Sequence, residues 1–444
     1  MNEHHVMLRI MKQLITLIPV SLILLCSLAF AMSYDDERKI ASELITVLDA
    51  NGLIIHDPEI TWALQSLADQ LADHISKPVY TFNLHLINDR SINAFAIPDG
   101  HIFINLGTLL MIQDTDELAG VIGHEMGHCQ LRHIPQTYNT QKKISTASLI
   151  GVIIGTLVST QNPQIGAAML YSSLGGAENI KLQYSRKHEY EADEFSRNIL
   201  ERSNFDPAGM NRFLIRLRTF AGTSTLPEYF LSHPYAQQRI AALQNAPTDT
   251  RPDTRYWSLY SSVVGLLLSE PEAMVYIRRV PDPFDRLASG LLMVRLGRNK
   301  QALDLLEDID LPQAKAYRGL ALYHQGLEEK AYPLLKGYTR SAEVNLALAE
   351  ILMKQGKADE AIVVLMPFEK RNQRAAYMLG NLYEKAENPP RAHVSYARYF
   401  FSTGNFEASQ YHIDKALFYE KDLDQNLIEE LKQMQKIIKK AQQA

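Results

Sequence analysis

The sequence predicts an α+β protein that is mostly α-helical, with a small antiparallel sheet in its first half and an α-helical solenoid at its end. Three observations predict this class. Short segments between residues 80 and 105 alternate apolar and polar residues, other apolar residues recur at helical spacing, and one glycine–alanine frame repeats beyond residue 284. A chain of 444 residues is long enough for two or three domains.

The alternating segments supply the predicted sheet. The first strand is YTFNLHLIN at 80–88, the second is INAFAI at 92–97, and the third is HIFIN at 101–105. The tripeptide PDG between the second and third strands is a turn signal. Because the connections are short, we predict that neighbouring strands pair in the antiparallel sense.

The first 31 residues are typical of a secretory signal peptide. Arg9 and Lys12 precede an apolar run that ends in Ala29-Phe30-Ala31, a small-residue cleavage site. An uncleaved membrane anchor is the alternative. We favour cleavage after Ala31, because Pro19 interrupts the run and a spanning helix needs about 20 apolar residues.

The composition indicates a globular protein without a nucleic-acid partner. Hydrophobic residues make up 46% of the chain, charged residues make up 21%, and the net charge is −5 with no basic run. The two cysteines are Cys26 and Cys129. Since Cys26 would leave with the signal peptide, no intrachain disulfide is expected.

Two histidines and a glutamate cluster on a predicted helix that begins at Asp114 and continues to His133. His124 and His128 are four residues apart and share a helix face, from which two neutral imidazoles can bind one Zn²⁺. Glu125 is displaced around the helix, so it can act as a general base without being a ligand. H-E-x-x-H matches also arise by chance. A capped helix directly after a strand favours the metal site over a pair of solvated histidines.

A catalytic zinc site needs a third protein ligand. His133 follows His124 by nine residues, which would place it on the opposite face of a continuous helix. Cys129 would point away from the histidine face as well. Neither residue is therefore predicted to bind the metal.

A second predicted helix, within 181–203, offers carboxylates instead. Glu189 and Asp193 are four residues apart and share a face. We expect Glu189 to bind the metal and Asp193 to accept a hydrogen bond from a ligand imidazole. His188 and Glu191 are the alternatives, and Glu189 as a plain surface charge remains open. Small residues, Gly123, Gly127 and Ala192, are expected to let the two helices approach closely.

Two apolar blocks, SLIGVIIGTLV and IGAAMLYSSLGG, lie between residues 146 and 175. Neither block is long enough to span a bilayer. A buried helical hairpin is the favoured interpretation. The alternative is a surface that makes peripheral contact with the membrane.

A frame of glycine, four residues and alanine recurs about every thirty residues near the carboxyl end. Its copies are Gly297 with Ala302, Gly326 with Ala331, and Gly356 with Ala361. Glycine would end one helix, and alanine would let the next helix pack closely. The pattern resembles tetratricopeptide repeats, although its period is shorter than their usual ~34 residues. A plain helical bundle is the less favoured alternative.

Four motifs together resemble the HtpX and CAAX-prenyl-protease family of zinc metallopeptidases. They are HEMGH at 124–128, EYEAD at 189–193, NAFAIPDGHIFIN at 93–105 and SHPYAQQRI at 232–240. The resemblance implies a gluzincin-type metallopeptidase domain with one Zn²⁺ held by His124, His128 and Glu189. The chain departs from the family at PDG, where PGG is usual. Asp is tolerated in such turns.

The resemblance also implies roles for two further segments. Asn93, Ala94, Phe95 and Ala96 would form the strand to which an extended substrate adds through backbone hydrogen bonds. His233 would lie at the active site, either as the fourth zinc ligand of a resting state or as a group that stabilises the oxyanion. Arg239 would orient the site or form a structural salt bridge nearby.

The predicted organisation follows from these motifs. Its parts are a signal peptide at 1–31, a zinc metallopeptidase domain at 32–250, a linker and connecting helices at 251–283, and a tetratricopeptide-like domain at 284–444.

The resemblance implies a zinc endopeptidase in the periplasm that hydrolyses polypeptide substrates. The repeats would bind outer-membrane β-barrel precursors and their assembly machinery, which adds a chaperone-like role in quality control. The alternative is a repeat-based chaperone or adaptor whose metal site is structural or latched by His233.

Overall fold

The computed structural model describes residues 32–140, 184–221, 229–233 and 253–443, together with position 151. The chain divides into two compact units: the first contains residues up to 55 and 64–252, and the second contains 56–63 and 253–444. The predicted signal peptide, Arg239, and all of 146–175 except position 151 lie outside the described residues. None of the described helices has both the length and the apolarity of a membrane span.

The first unit combines a four-stranded sheet with helices, as the predicted class requires. Its strands are β1 (Ile54–Ile55), β2 (Asn83–Ile87), β3 (Ala94–Ile97) and β4 (His101–Asn105). Its described helices are α1 (Tyr34–Ala50), α2 (Pro58–Ala72), α3 (Leu106–Met111), α4 (Thr115–Gln130), α5 (His133–Thr140), α6 (Arg186–Arg202), α7 (Gly209–Ala221) and α8 (Tyr229–Ser232). The opening turns of α2 belong to the second unit.

The sheet is mixed, which corrects the prediction that it is antiparallel. The strand order is β1-β2-β4-β3. β1 pairs with β2 and β3 pairs with β4 in the antiparallel sense, whereas β2 and β4 are parallel, with Asn83 opposite His101. β4 is therefore inserted between the two strands that precede it in the sequence.

The loop after β2 crosses the end of β4 and so causes the parallel pairing. The Gly107 N–H donates to Asp89 O at 2.9 Å, and the Asn105 N–H donates to Asn93 O at 3.0 Å. A Cβ atom at position 107 would lie 2.2 Å from Arg90 O. Only glycine lets the loop pass here, and the loop carries β3 to the far side of β4.

Helix α1 covers one face of this sheet. Ile40, Leu44 and Leu48 are fully buried and pack in one cluster with Ile87 and Phe103 of the strands. These helix positions are spaced by four residues, so they form one apolar stripe. Helix α4, which carries the histidine motif, also packs against β3 and β4.

The second unit is helical throughout its described residues and has the solenoid-like character that the repeats predict. After the opening turns of α2, this unit contains α9 (Thr254–Ser262) and α10 (Glu270–Ile277), and a π-helical turn follows α9. The helices after these are α11 (Phe284–Arg295), α12 (Asn299–Leu306), α13 (Pro312–His324), α14 (Glu328–Leu335), α15 (Ala342–Lys354), α16 (Ala358–Leu365), α17 (Gln373–Lys385), α18 (Pro389–Ser402), α19 (Phe406–Phe418) and α20 (Gln425–Gln443).

The repeated frame has the physical basis expected from the sequence. Gly297, Gly326 and Gly356 each end a helix with φ between 72° and 76°, the left-handed conformation that glycine adopts readily. Ala302, Ala331 and Ala361 are completely buried between helices. A fourth, degenerate copy of the frame lies at 387–392, where Glu387 takes the glycine position with φ 53° and Ala392 takes the alanine position.

One buried carboxyl group stands out in the second unit. Glu59 is 6% exposed and accepts hydrogen bonds from Tyr317 Oη at 3.0 Å, from Ser262 Oγ at 3.2 Å and from Gln313 Nε2. Burial, together with the nearby Asp57 carboxylate, raises the pKa of Glu59 to about 7, because the hydrogen bonds only partly oppose the shift. Ionised Glu59 therefore destabilises the second unit.

We expect Glu59→Gln to remove one pH-dependent part of the stability. Since the folded-state pKa is raised, the native chain holds this proton to higher pH than the unfolded chain, and stability is lost as pH rises from about 4.5 to 7. Between pH 5 and pH 8, the free energy of unfolding of the variant, measured with urea, should rise by on the order of 2 kcal/mol relative to that of wild type. Glu343→Gln, at an exposed carboxylate, is the control. A difference that does not change with pH would contradict this account.

Candidate metal centre

Helix α4 is buried almost along its whole length, so its start must be well capped. Asp114 Oδ1 accepts the N–H of Glu117 at 2.7 Å. The Glu117 carboxylate accepts the Gln113 N–H at 3.0 Å and pairs with Arg216 at 2.6 Å. The structure confirms that Asp114 caps the start of the helix. The Glu117 side chain accepts the backbone N–H of Gln113 and not that of Asp114.

Helix α4 ends three residues earlier than the sequence predicts. Arg132 adopts φ 54° and interrupts the helix, and α5 begins at His133. The Arg132 guanidinium bonds to the buried Glu37 carboxylate and donates to Met32 O at 2.8 Å. This long-range pairing explains the break, and it brings His133 back beside His128.

Helices α4 and α6 approach closely through small residues, as predicted. A Cβ atom on Gly127 would lie 3.0 Å from Ala192 Cα, and one on Gly123 would lie 2.9 Å from Ser196 Oγ. Ser196 Oγ donates to Gly120 O at 3.0 Å and ties the two backbones together. The close approach brings the second carboxylate motif to the histidine face.

Four side chains converge at this contact: His124, His128, Glu189 and His233, each at most 1% exposed. They are the one group of possible metal ligands found among the described residues, with one ligand atom from each within 4.8 Å of the others. His124 Nε2 lies 3.1 Å from His128 Nε2 and 3.3 Å from His233 Nδ1. Glu189 Oε1 lies 3.1 Å from His233 Nδ1 and 3.5 Å from His128 Nε2.

These separations fit a zinc ion. Ligand atoms held tetrahedrally at ~2.0–2.1 Å from Zn²⁺ lie about 3.3 Å from one another. The four distances given above run from 3.1 to 3.5 Å. Three imidazole nitrogens and one carboxylate oxygen are also a donor set that suits zinc. The measured separations, including 3.6 Å between His124 Nε2 and Glu189 Oε2, are therefore compatible with a four-coordinate site.

The outer nitrogens of the two α4 histidines explain why a cation is needed. His124 Nδ1 lies 3.0 Å from Asp193 Oδ1, and His128 Nδ1 lies 2.9 Å from His133 Nδ1. If each Nδ1 carries the hydrogen, each Nε2 has a bare lone pair pointing at the shared centre. Two bare nitrogens 3.1 Å apart beside a carboxylate repel one another unless a cation lies between them.

The protonation states agree with metal binding. Burial would by itself raise the pKa of Glu189, but the charge of His233 and hydrogen bonds from His124 and His233 hold it well below its usual range. Burial, together with the charge of His124, holds the pKa of His128 well below its ordinary value. Burial lowers the pKa of His133 to about 3. An ionised Glu189 and a neutral His128 are the forms that bind metal.

The structure brings together most of the residues singled out in the sequence. Glu125 is fully buried, with Oε1 3.4 Å from His233 Nε2. Asp193 contacts His124, as expected for an outer partner. His188 and Glu191, the alternatives to Glu189, are outside the group of four ligands. Arg239 cannot be placed, since it lies outside the described residues.

The strand predicted to receive substrate is β3, which lies at the edge of the sheet. The Asn93 N–H donates to Thr108 Oγ1 and its carbonyl accepts the Asn105 N–H, so its backbone is already engaged. Phe95 pairs with Phe103 of β4. By the alternation of an antiparallel ladder, Ala94 and Ala96 turn their backbone groups to the outer edge.

Two residues of the site were missed by sequence reasoning. His133 was rejected as a ligand, and it remains outside the ligand group, but it contacts His128. Tyr184 stacks on His128 with ring centroids 3.7 Å apart and lies 5.4 Å from His233. An aromatic residue just before the ligand helix was the available signal for Tyr184. No local pattern signals His133.

A buried H-E-x-x-H helix, with a glutamate ligand supplied by a second helix, defines a metallopeptidase domain of the gluzincin type. Comparison of sequences agrees with this class. The profile described as peptidase family M48 matches residues 58–246. This part of the chain is similar to M48 peptidase domains, and the protein is a metallopeptidase.

Particular relatives are similar over most of the chain. It is 27% identical to the beta-barrel assembly-enhancing protease of Escherichia coli (strain K12), over 80% of this chain and 73% of that protein. It is 25% identical to the protein of the same name from Yersinia pestis, over 84% of this chain and 75% of that protein. The metalloprotease LoiP of Escherichia coli (strain K12) is 27% identical over 41% of this chain and 69% of LoiP.

Gly127→Ala tests the helix contact that builds the site. The new methyl group would meet Ala192 Cα at 3.0 Å and Ala192 O at 3.1 Å, which forces α4 and α6 apart. We expect a loss of about 1–3 kcal/mol in stability and weaker zinc binding, measured by thermal unfolding with and without a chelator. Alanine is intrinsically the better helix former by about 1 kcal/mol. A stabilised variant with full zinc affinity would contradict the close-packing account.

Proposed function

We propose that this chain is a zinc-dependent endopeptidase that cleaves polypeptides bound along the outer edge of β3. We further propose that it acts in the assembly and quality control of outer-membrane β-barrel proteins. The observation that carries the enzymatic part is the convergence of four buried ligand atoms within 4.8 Å, with the Glu125 carboxylate beside them. The second part rests on the names of the relatives.

The metal would be held by His124, His128 and Glu189, with Asp193 fixing the orientation of His124 through their 3.0 Å contact. When bound, zinc would supply Lewis-acid activation of water and of the scissile carbonyl. The surrounding residues exclude bulk solvent, since each α4 ligand is at most 1% exposed. Low exposure strengthens each electrostatic interaction at the site.

Glu125 would act as the general base and then as the general acid. It follows His124 directly, so its carboxylate lies beside the ligand set without belonging to it. It would accept a proton from the attacking water and pass that proton to the leaving amide nitrogen. Its carboxylate is close to His233 Nε2, at 3.4 Å, so the position of His233 affects the base as well.

His233 would act as a latch in the resting enzyme. Its Nδ1 is within 3.3 Å of both His124 Nε2 and Glu189 Oε1, which is the place of a fourth ligand. Catalytic zinc sites keep one coordination position open, so His233 must leave before hydrolysis. The alternative role in stabilising the oxyanion would follow only after this movement. Arg239 would orient the site or form a structural salt bridge nearby.

Substrate binding and release of the latch would be coupled through β3. His233 Nε2 lies 3.3 Å from Ala94 O, and the Tyr229 N–H donates to Ile92 O at 3.1 Å. These carbonyls are on the outer edge, where an added substrate strand would form its hydrogen bonds. A substrate strand therefore competes with residues 229–233 for Ala94, and Ala96 extends the same edge.

The physiological role would combine proteolysis with binding. The relatives from Escherichia coli and Yersinia pestis are named beta-barrel assembly-enhancing proteases. We infer that this chain degrades misassembled β-barrel precursors in the periplasm and that its solenoid binds precursors or assembly machinery in a chaperone-like way. The predicted signal peptide supports the location.

One observation favours a second candidate. Four protein ligands close a zinc site, and closed sites are typically structural. A repeat-based chaperone with a structural or permanently latched metal would have this arrangement. The buried Glu125 beside the ligands favours the enzyme, because a structural site has no use for an ionisable group there.

Glu125→Gln and Glu189→Ala separate these roles. Glu125→Gln should keep about one zinc per chain but lower hydrolysis of a denatured β-barrel protein by 10²–10⁴-fold, the usual size of general acid–base catalysis. Glu189→Ala should lose most of the zinc, because a ligand is removed. Zinc would be measured by elemental analysis and cleavage by gel assay. Undiminished cleavage by Glu125→Gln would refute the enzymatic proposal.

His233→Ala tests the latch. If His233 occupies the fourth position at rest, its removal should raise cleavage of an unfolded polypeptide several-fold while it weakens zinc binding modestly. His74→Ala, which removes an exposed histidine outside the ligand group, is the control. A His233→Ala variant that cleaves more slowly at saturating zinc would favour the oxyanion role over the latch.

A further inference from the structure

A short contact between two buried histidines is unexplained by the proposed reaction. His128 Nδ1 and His133 Nδ1 are 2.9 Å apart, and His133 is completely buried. Two imidazole nitrogens at this distance share one hydrogen, which one donates and the other accepts. The question is which nitrogen carries it.

We propose that His133 is a positioning residue: its bare Nδ1 accepts a hydrogen bond from His128 Nδ1–H and so fixes the tautomer in which His128 Nε2 binds the metal. This inference rests on the proposed metal role of His128. The hydrogen of neutral His133 must then be on Nε2. That atom lies 3.4 Å from Glu191 Oε2 without forming a hydrogen bond to it, so the carboxylate acts on this N–H through its nearby negative charge.

The two α4 ligands are therefore oriented by different chemistry. His124 Nδ1 contacts a carboxylate directly, Asp193 Oδ1 at 3.0 Å. His128 Nδ1 contacts a neutral imidazole in the corresponding place, and on this side of the ring the Glu191 carboxylate lies beyond His133. The centre already contains the buried carboxylates Glu125 and Glu189. A neutral acceptor fixes the tautomer of His128 without adding another buried negative charge, which would be costly.

The position of His133 is itself held firmly. Its ring stacks on His188 at a centroid distance of 4.3 Å with an interplanar angle of 12°. The turn at Arg132, with φ 54°, sets the point at which α5 starts. Tyr184 stacks on His128 at 3.7 Å. The hydrogen bond between the histidines thus joins two rings that are each confined by packing.

Three variants of the full chain test the proposal through zinc affinity, measured by competition with a chromophoric chelator. His133→Phe removes the acceptor and should weaken zinc binding by about 10–100-fold, as loss of an outer partner does. His133→Asn places Oδ1 where Nδ1 was and should restore most of the affinity. His188→Phe keeps a ring stacked on His133 and should bind zinc like wild type.

The metal-free wild-type protein supplies an independent readout. Long-range ¹H–¹⁵N spectra of the histidine rings should show His128 protonated at Nδ1 and His133 at Nε2. The proposal is overturned if the spectra show the reverse, if His133→Phe binds zinc as tightly as wild type, or if His133→Asn is as weak as His133→Phe. Wild type that binds no zinc would instead refute the proposed function, while the spectra would still decide the tautomer.

Discussion

The structure of the first unit depends on one electrostatic constraint: bare imidazole nitrogens and a carboxylate must point at the same buried place. His124 Nε2 and His128 Nε2 are 3.1 Å apart, and Glu189 is ionised beside them. Without a cation these groups would repel one another in a low-dielectric environment. A bound cation would therefore join α4 to α6, and the small residues Gly123, Gly127 and Ala192 allow the close approach that brings these side chains together.

The same centre links the sheet to the chemistry. In β3, Ala94 O contacts His233 of residues 229–233. The same strand also packs against α4. Movement of His233 would change three things together: the number of protein ligands, the surroundings of Glu125, and the availability of the sheet edge. A peptidase that must spare folded proteins gains from such coupling, because only an extended chain can compete for the edge strand.

Much of this arrangement could be predicted because it is encoded locally. The strand at 101–105 and the helix start at Asp114 were predicted where they occur, and the second ligand helix follows from the four-residue spacing of Glu189 and Asp193. Two features depend on contacts between distant residues. The parallel pairing of β2 with β4 needs the loop to pass over Gly107. The neighbour of His128 is His133 only because Arg132 leaves the helix to reach Glu37, 95 residues away in the sequence.

The central claim is that one zinc ion is bound by nitrogen and oxygen atoms of four side chains: His124, His128, Glu189 and His233. X-ray absorption spectroscopy at the zinc edge of the zinc-loaded protein tests it most directly. The account predicts a single shell of nitrogen and oxygen at about 2.0–2.1 Å, with scattering from three imidazoles in wild type and from two in His233→Ala. A sulfur shell near 2.3 Å, or scattering from fewer than three imidazoles in wild type, would contradict it.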